Sequence, residues 1–438
     1  MSGLRLFGYC AREVARRLRA VPIGLGIAAL LAIASRLLPE ECVYNELGQL
    51  HADQTGDLTL GPAPRAPQLA RFEAACGKPL EPDVLVHRQP YLQKVAVGGA
   101  AVLWTAEALS APEVRWWPAG APSAGQTARA AADSSAPLAH GRQYQAEMNG
   151  LPAATVICYQ VLDGRRPLAG PFGFTSAPAA DSTAPIRIVA FGDMGWRSSD
   201  QDAVEKQMEA SQFDMVLMAG DIGYPSGRLR DYEDNVFPAY ARLMASAPFV
   251  AASGNHDYMT ADGAPFRQVF ALPENGGREG RERWYSLDWG LLHLVVLDSE
   301  KLGKPQEDWL EADLQASAGA RWTIALFHRA PFSSGELGGD GGARTSLVPI
   351  LTRHHVPLVI TGHEHDYERR DPVDGVLYIV TGGGGRGTRR VTSRAEGSAF
   401  AAQVAHIVYL EVTVDEIRLW AIDASGQTFD TARITRSR

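Results

Sequence analysis

The sequence predicts an α/β domain preceded by an all-β sandwich, and three observations carry that reading. Between residues 184 and 424, short apolar runs bounded by turn residues alternate with helical patterns. Between 82 and 178, short alternating runs follow one another with turn-rich segments between them. The chain has 438 residues, more than one average domain, and a 45% apolar fraction that is ordinary for a globular protein. A formal net charge of −8 gives no electrostatic reason to expect a nucleic-acid partner.

In chain order, residues 1–36 have the layout of an export signal. Arg12, Arg16, Arg17 and Arg19 precede the apolar stretch 20–35, and Ala32-Ile33-Ala34 offers small residues for cleavage. An uncleaved membrane anchor is the alternative, since the stretch is only slightly short of a bilayer span. Both readings put the rest of the chain outside the cytoplasm, whether periplasmic, secreted or anchored facing outward. Residues 37–81, with their Pro/Gly-rich segment, read as a linker. Cys10 lies in the signal, Cys42 and Cys76 are candidates for a disulfide in an oxidising compartment, and Cys158 is expected buried and unpaired in a strand.

The sandwich rests on runs at 84–87, 101–105, 114–117, 144–148 and 155–162. Trp104, Trp116 and Trp117 offer a carbohydrate or partner surface, but core packing is the expected fate of at least two.

In the α/β part, apolar runs at 188–191, 215–218, 249–251, 324–327 and 357–360 have the length of buried strands. Helical patterns occupy 200–211, 231–245, 304–316 and 345–355, and residues 425–438 read as a tail. Each strand runs directly into a polar block: Gly192-Asp193-Met194-Gly195, Gly220-Asp221-Ile222-Gly223-Tyr224, Gly254-Asn255-His256-Asp257, His328 and Gly362-His363-Glu364-His365. In open α/β sheets ligands gather beyond the carboxyl ends of the strands, so five strand ends would deliver one site.

These residue types describe a two-metal hydrolytic site. Two cations roughly 3.5–4 Å apart can clamp the attacking and leaving oxygens of an in-line displacement and acidify water. A carboxylate bridges two ions naturally, and Asp221, central among the blocks, is the candidate. Asp193, Tyr224, Asn255, His328, His363 and His365 supply the outer oxygen and nitrogen donors, and a phenolate from Tyr224 favours a trivalent ion such as Fe(III).

The five blocks, in this order, closely resemble the purple acid phosphatase branch of the calcineurin-like metallophosphoesterases. The resemblance implies a double-sheet sandwich flanked by helices. It implies one metal, usually Fe(III), on Asp193, Asp221, Tyr224 and His365, and a second, Fe, Zn or Mn, on Asp221, Asn255, His328 and His363. It implies that His256 faces the substrate phosphate and assists the leaving oxygen. Residues 82–178, with Gln89-Pro90-Tyr91-Leu92-Gln93 near their start, are similar to the fibronectin type III-like domain that precedes many such catalytic domains.

The expected activity is therefore that of an exported phosphomonoesterase, with a metal-held hydroxide attacking the phosphorus of a small phosphate ester. The alternatives are a phosphodiesterase acting on nucleotides or phospholipid head groups, and a non-catalytic surface-binding module. One departure from the family is the loop 329–344, which has no histidine; it is expected to be mobile and, beside His328, to serve as a substrate lid, with Arg329 and Arg344 as candidate anion contacts. The glycine run 382–387 lacks the lysine of a phosphate-binding loop and reads as a tight return beside the site, with Arg386 a secondary candidate. His354 and His355 end a helix, where they suit its C-terminus. His293 and His406 read as packed strand residues, and His51, His87 and His140 carry no motif.

Overall fold

The computed structural model describes residues 56–133, 141–391 and 394–436. The export segment with Cys10, the first part of the linker with Cys42 and His51, and His140 lie outside the described residues.

The N-terminal strands are β1 (Val86–Ala96), β2 (Gly99–Ala106), β3 (Pro112–Pro118), β4 (Gln126–Arg129), β5 (Ala131–Asp133), β6 (Arg142–Asn149), β7 (Val156–Asp163) and β8 (Arg166–Thr175). They form two antiparallel four-stranded sheets, β1-β2-β6-β5 and β4-β3-β7-β8. Alternate residues of both, among them Val102, Trp104, Val114, Trp116, Tyr144, Tyr159 and Val161, turn into one core. Trp104 and Trp116 are thus packed, while Trp117 is half-buried against the Arg115 guanidinium.

The cysteine pairing differs from expectation. Cys76 bonds to Cys158, which is buried but not unpaired. The cause is the helix Ala70–Cys76, which lies against β7 and β8 and brings the two Cα atoms to 5.4 Å. The described part of the expected linker is likewise a docked strap: Gly56 donates to the Phe429 carbonyl, and Gln68 and Phe213 exchange two hydrogen bonds.

The larger region contains β9 (Ile186–Phe191), β10 (Met215–Ala219), β11 (Phe249–Ala252), β12 (Tyr285–Trp289), β13 (Leu292–Val296), β14 (Trp322–Arg329) and β15 (Leu358–Gly362), followed by β16 (Tyr367–Arg370), β17 (Leu377–Thr381), β18 (Ser398–Ala402), β19 (His406–Val412), β20 (Glu416–Asp423) and β21 (Thr428–Thr435). One sheet runs β11-β10-β9-β19-β20-β21, the other β12-β13-β14-β15-β17-β16-β18. Their centres, β9 to β11 and β13 to β15 with β17, are parallel.

Period-two alternation explains the layering. Leu294, Val296, Ile324, Leu326, Leu358 and Ile360 share the core of the six-stranded sheet. Their neighbours Val295, Ala325, Phe327 and Val359 face the other way, against Leu310 and Leu314 of helix Lys304–Ala316 and Ile350 and Leu351 of helix Val348–Arg353. The result is two sheets face to face with helices outside, an α/β double-sheet sandwich.

The expected tail is part of this structure: β21 pairs along β20, and Asp430 is fully buried against Tyr367 and Arg369. Two expected helices are each split. The pattern at 231–245 divides into Leu229–Asn235 and Phe237–Met244, and that at 345–355 into Gly341–Ser346 and Val348–Arg353. Pro238 and Pro349 cause the breaks, because a residue without an N–H starts a helix more readily than it continues one.

Candidate metal centre

The parallel strands end at one edge of the space between the two sheets, and the polar blocks follow them there. His328 has the same parity on β14 as Ile324 and Leu326, so its ring enters the inter-sheet face. Asp193, Asp221 and His363 each follow a strand in a left-handed conformation, with φ of 58°, 51° and 71°. Non-glycine residues adopt this region rarely, and such strain collects where side chains must be aimed at a shared target.

The side chains form two groups joined at Asp221. In the first, the Tyr224 hydroxyl lies 2.9 Å from Asp221 Oδ2, 3.1 Å from Asp193 Oδ1 and 3.3 Å from His365 Nε2. His365 Nε2 stands 3.2 Å from Asp193 Oδ1. In the second, one donor atom each from Asp221, His328 and His363 lies within 4.8 Å of the others. Asn255 Oδ1 is 3.2 Å from His328 Nε2. All seven predicted ligands are therefore brought together.

Backbone carbonyls orient the rings. A carbonyl only accepts, so His328 Nδ1–H donates to Ala219 (2.8 Å) and His365 Nδ1–H to Gly387 (3.1 Å), leaving each Nε2 turned inward. His256 Nδ1–H donates to the Pro225 carbonyl at 2.7 Å, its ring lies 4.4 Å from that of Tyr224, and it is almost fully buried beside the group rather than in it. Asp257 fastens two blocks together, accepting from the backbone N–H of Gly223 and Gly254 and from the Tyr232 hydroxyl.

The electrostatics fit cations. Burial pushes the Asp193 carboxyl up to about 8, because a lone anion there is poorly solvated. Burial acts the same way on Asp221, but the charges of His328 and His256 hold it well below the usual range. Burial together with the charge of His328 presses His363 down to about 2, which keeps its ring neutral and able to ligate. Burial would lower the pKa of His328, but the neighbouring Asp221 carboxylate outweighs it and raises that ring to about 10, so its proton is the one a metal would replace. A shared carboxylate, a second buried carboxylate, a phenol, an amide oxygen and imidazoles are a donor set for hard or borderline cations.

The anion candidates differ in fate. Arg344 donates Nε and Nη2 to the Pro331 carbonyl and lies over Phe332, so it fastens its own loop. Arg329 reaches His363 and is held by Glu300. The loop is tied down at two points: Glu368 accepts from the Ser334 N–H and hydroxyl, and Glu364 from the Leu337 N–H. Both carboxylates are fully buried. The glycine run does pass behind the site, with Gly384 N–H donating to Gly192 and Arg386 N–H to Asp193. Arg386 stacks on Trp196, 3.9 Å from the ring centre.

Two neighbours escaped the sequence reading. Arg389 donates to the His363 carbonyl at 2.9 Å. Glu300 follows β13 in Asp298-Ser299-Glu300, and that strand-then-acid pattern was the signal available for it. A separate cavity of about 700 Å³, with Val95, Phe249, Leu272 and Trp289 in its walls, contains none of the ligands.

Two sheets in a sandwich, with carboxylates, phenol, amide and imidazoles at adjoining strand ends, define a metallophosphoesterase fold. Residues 186–367 match the model of the calcineurin-like phosphoesterase family, and the chain carries such a domain, with purple acid phosphatases among its homologues. The chain is 27% identical to a nucleotide pyrophosphatase/phosphodiesterase of Hordeum vulgare over 51% of its length and 75% of that protein. It is 26% identical to purple acid phosphatase 1 of Ipomoea batatas over 48% of each. Several relatives from Arabidopsis thaliana are named probable inactive purple acid phosphatases. The chain spans about half the length of most of these relatives. Among solved structures, it superposes on the purple acid phosphatase PPD1 from yellow lupin seeds with a TM-score of 0.70 and 20% identity, covering 80% of this chain and 74% of that one. That likeness is one of fold, and the family implies a binuclear metal centre.

Proposed function

We propose that this chain is an exported phosphomonoesterase of the purple acid phosphatase type. The observation that carries the reading is the pair of donor groups sharing Asp221, one with the Tyr224 phenol and one with Asn255 and two imidazoles. In this reading the first group holds Fe(III) and the second Fe, Zn or Mn. When bound, the two cations supply Lewis acidity and lower the pKa of water. The chain's own residues do the rest: Asp257 keeps the blocks in register, carbonyls fix each imidazole, and His256 stands ready to deliver a proton to the departing oxygen from its Nε2 end.

The Cys76–Cys158 bond supports an oxidising, extracytoplasmic location. Among the described residues no helix is long and apolar enough to cross a membrane. The domain division that accompanies this reading is a fibronectin type III-like unit over 82–178 and a catalytic unit from 184, with the strap and β21 fastened to it. The name of the barley relative favours a second reading, a phosphodiesterase on nucleotides.

Metal analysis and visible spectra of wild type and Tyr224→Phe, with chromogenic mono- and diesters assayed from acid to neutral pH, test the proposal. Two metals per chain, monoester hydrolysis and a purple band that disappears in the variant are expected. A strong preference for the diester would select the second reading, and absence of stoichiometric metal after reconstitution would leave a binding module.

A further inference from the structure

Arg329 occupies an unusual position between an acid and a candidate ligand. It closes β14 directly after His328 and lies opposite Gly362 of β15. Its Nε donates to Glu300 Oε1 at 2.7 Å and its Nη2 to Glu300 Oε2 at 2.9 Å, a parallel pair of bonds that fixes the plane of the guanidinium. Nη1 reaches His363 Nε2 at 3.2 Å. The Glu300 side chain is 11% exposed and that of Arg329 28%, so the acid is the more buried partner.

His363 has two ends. Its Nδ1 faces His328 Nε2 at 3.2 Å, inside the metal-binding group, and its Nε2 faces Arg329. A neutral imidazole that gives the Nδ1 lone pair to a cation carries its proton on Nε2. Nε2–H then cannot accept from an arginine, which only donates. Loading the second site would therefore remove His363 as an acceptor for Nη1, whose position the two bonds from Nε and Nη2 to Glu300 fix.

We propose that the Glu300–Arg329 pair is a metal-gated clamp for the phosphoryl group of a phosphate monoester dianion. Glu300 is the positioning residue, and Arg329 Nη1, which would lose His363 as its acceptor when the second site fills, donates to a substrate oxygen. The neighbouring cations are otherwise engaged: Arg344 on the Pro331 carbonyl, Arg389 on the His363 carbonyl, Arg386 on the Trp196 ring. The clamp rests on the metal-dependent phosphoesterase reading and adds to it a source of preference for the dianion over a diester, which has one fewer charged oxygen to offer.

Calorimetric titration of inorganic phosphate into metal-loaded protein tests this directly, with metal content measured on each sample. Wild type should bind phosphate only when loaded. Arg329→Ala should retain both metals and bind phosphate about tenfold or more weaker, the scale of one hydrogen bond between charged groups. Arg329→Lys should recover only part, since lysine cannot make two parallel bonds to Glu300. Glu300→Gln should raise KM for a monoester with a smaller change in kcat. Unchanged phosphate affinity in Arg329→Ala would overturn the clamp, and so would loss of a metal from that variant, which would make Arg329 a support for His363 instead. Failure of the underlying reading looks different: wild type itself would hold no stoichiometric metal or hydrolyse no ester.

Discussion

At the scale of single residues, the glycines before the ligands matter as much as the ligands. A Cβ on Gly254 would stand 2.2 Å from Asp221 Oδ1 and 2.4 Å from the Asp221 backbone nitrogen. Neither atom can yield, because the carboxylate joins the two donor groups and the nitrogen belongs to a left-handed residue whose side chain is already aimed. Gly254→Ala is therefore expected to abolish binding of at least one metal while the protein stays folded, read by metal analysis beside circular dichroism. Full metal content in that variant would contradict the fit. The seven candidate ligands were legible from the sequence because six of them sit in short blocks with their own glycine and the seventh, His328, ends an apolar strand run. Glu300 and Arg389 were not, since they act through contacts to other side chains and carbonyls, and such partners are set by tertiary proximity rather than local spacing.

At the scale of elements, strands were legible and helix ends were not. Five buried strands are found where their apolar runs lie, because the middle residues of β9, β10, β11, β14 and β15 are covered on both faces and favour apolar side chains. Pro238 and Pro349 split helices whose apolar spacing runs straight through them. The histidine of β13 shows what a packed strand residue can still do. His293 is buried, with Nδ1 2.7 Å from Asp288 and Nε2 2.8 Å from Asp313 of the helix Lys304–Ala316, and it ties hairpin to helix. Burial alone would lower its pKa, but the bonds to Asp313 and Asp288 outweigh that and raise it. A raised folded value means the imidazolium stabilises fully below the unfolded value of about 6.5, and that stabilisation fades as pH climbs through the folded value. Thermal melts should accordingly show the gap between wild type and His293→Gln widest near pH 5.5 and narrowing towards pH 8.5; a constant gap would mean the ring acts by packing alone.

At the scale of the whole molecule, the sandwich is built into the α/β region rather than hung from it. Arg88 of β1 is fully buried yet pairs with Glu233, donates to Tyr91 and Gln143, and covers the Phe237 ring at 4.2 Å. The Tyr91 hydroxyl crosses to the Val269 carbonyl at 2.6 Å, and that of Tyr159 to Ala245 at 2.7 Å. The Arg88 contacts to Glu233 and Phe237 land on the helices Leu229–Asn235 and Phe237–Met244, which follow the Tyr224 block directly; the Tyr159 bond lands on Ala245 just after them, the Tyr91 bond on the helix Ala264–Val269, and Asn235 donates back to the Tyr224 carbonyl at 3.0 Å. This seam is not legible in the sequence, because a buried arginine reads as a surface residue until its partners are known. Removing one member of a buried ion pair leaves the other uncompensated, at a cost of roughly 3–5 kcal/mol. Glu233 is partly exposed and can recover some solvation, so Arg88→Ala should fall at or below the lower end of that range, and Tyr91→Phe, which leaves one buried carbonyl without its donor, should cost about 1–3 kcal/mol. Both variants should lower the midpoint of a single unfolding transition seen alike by tryptophan fluorescence and by loss of metal. Two separated transitions, with the metal retained through the first, would mean that the sandwich melts on its own and that the helices behind Tyr224 do not depend on it.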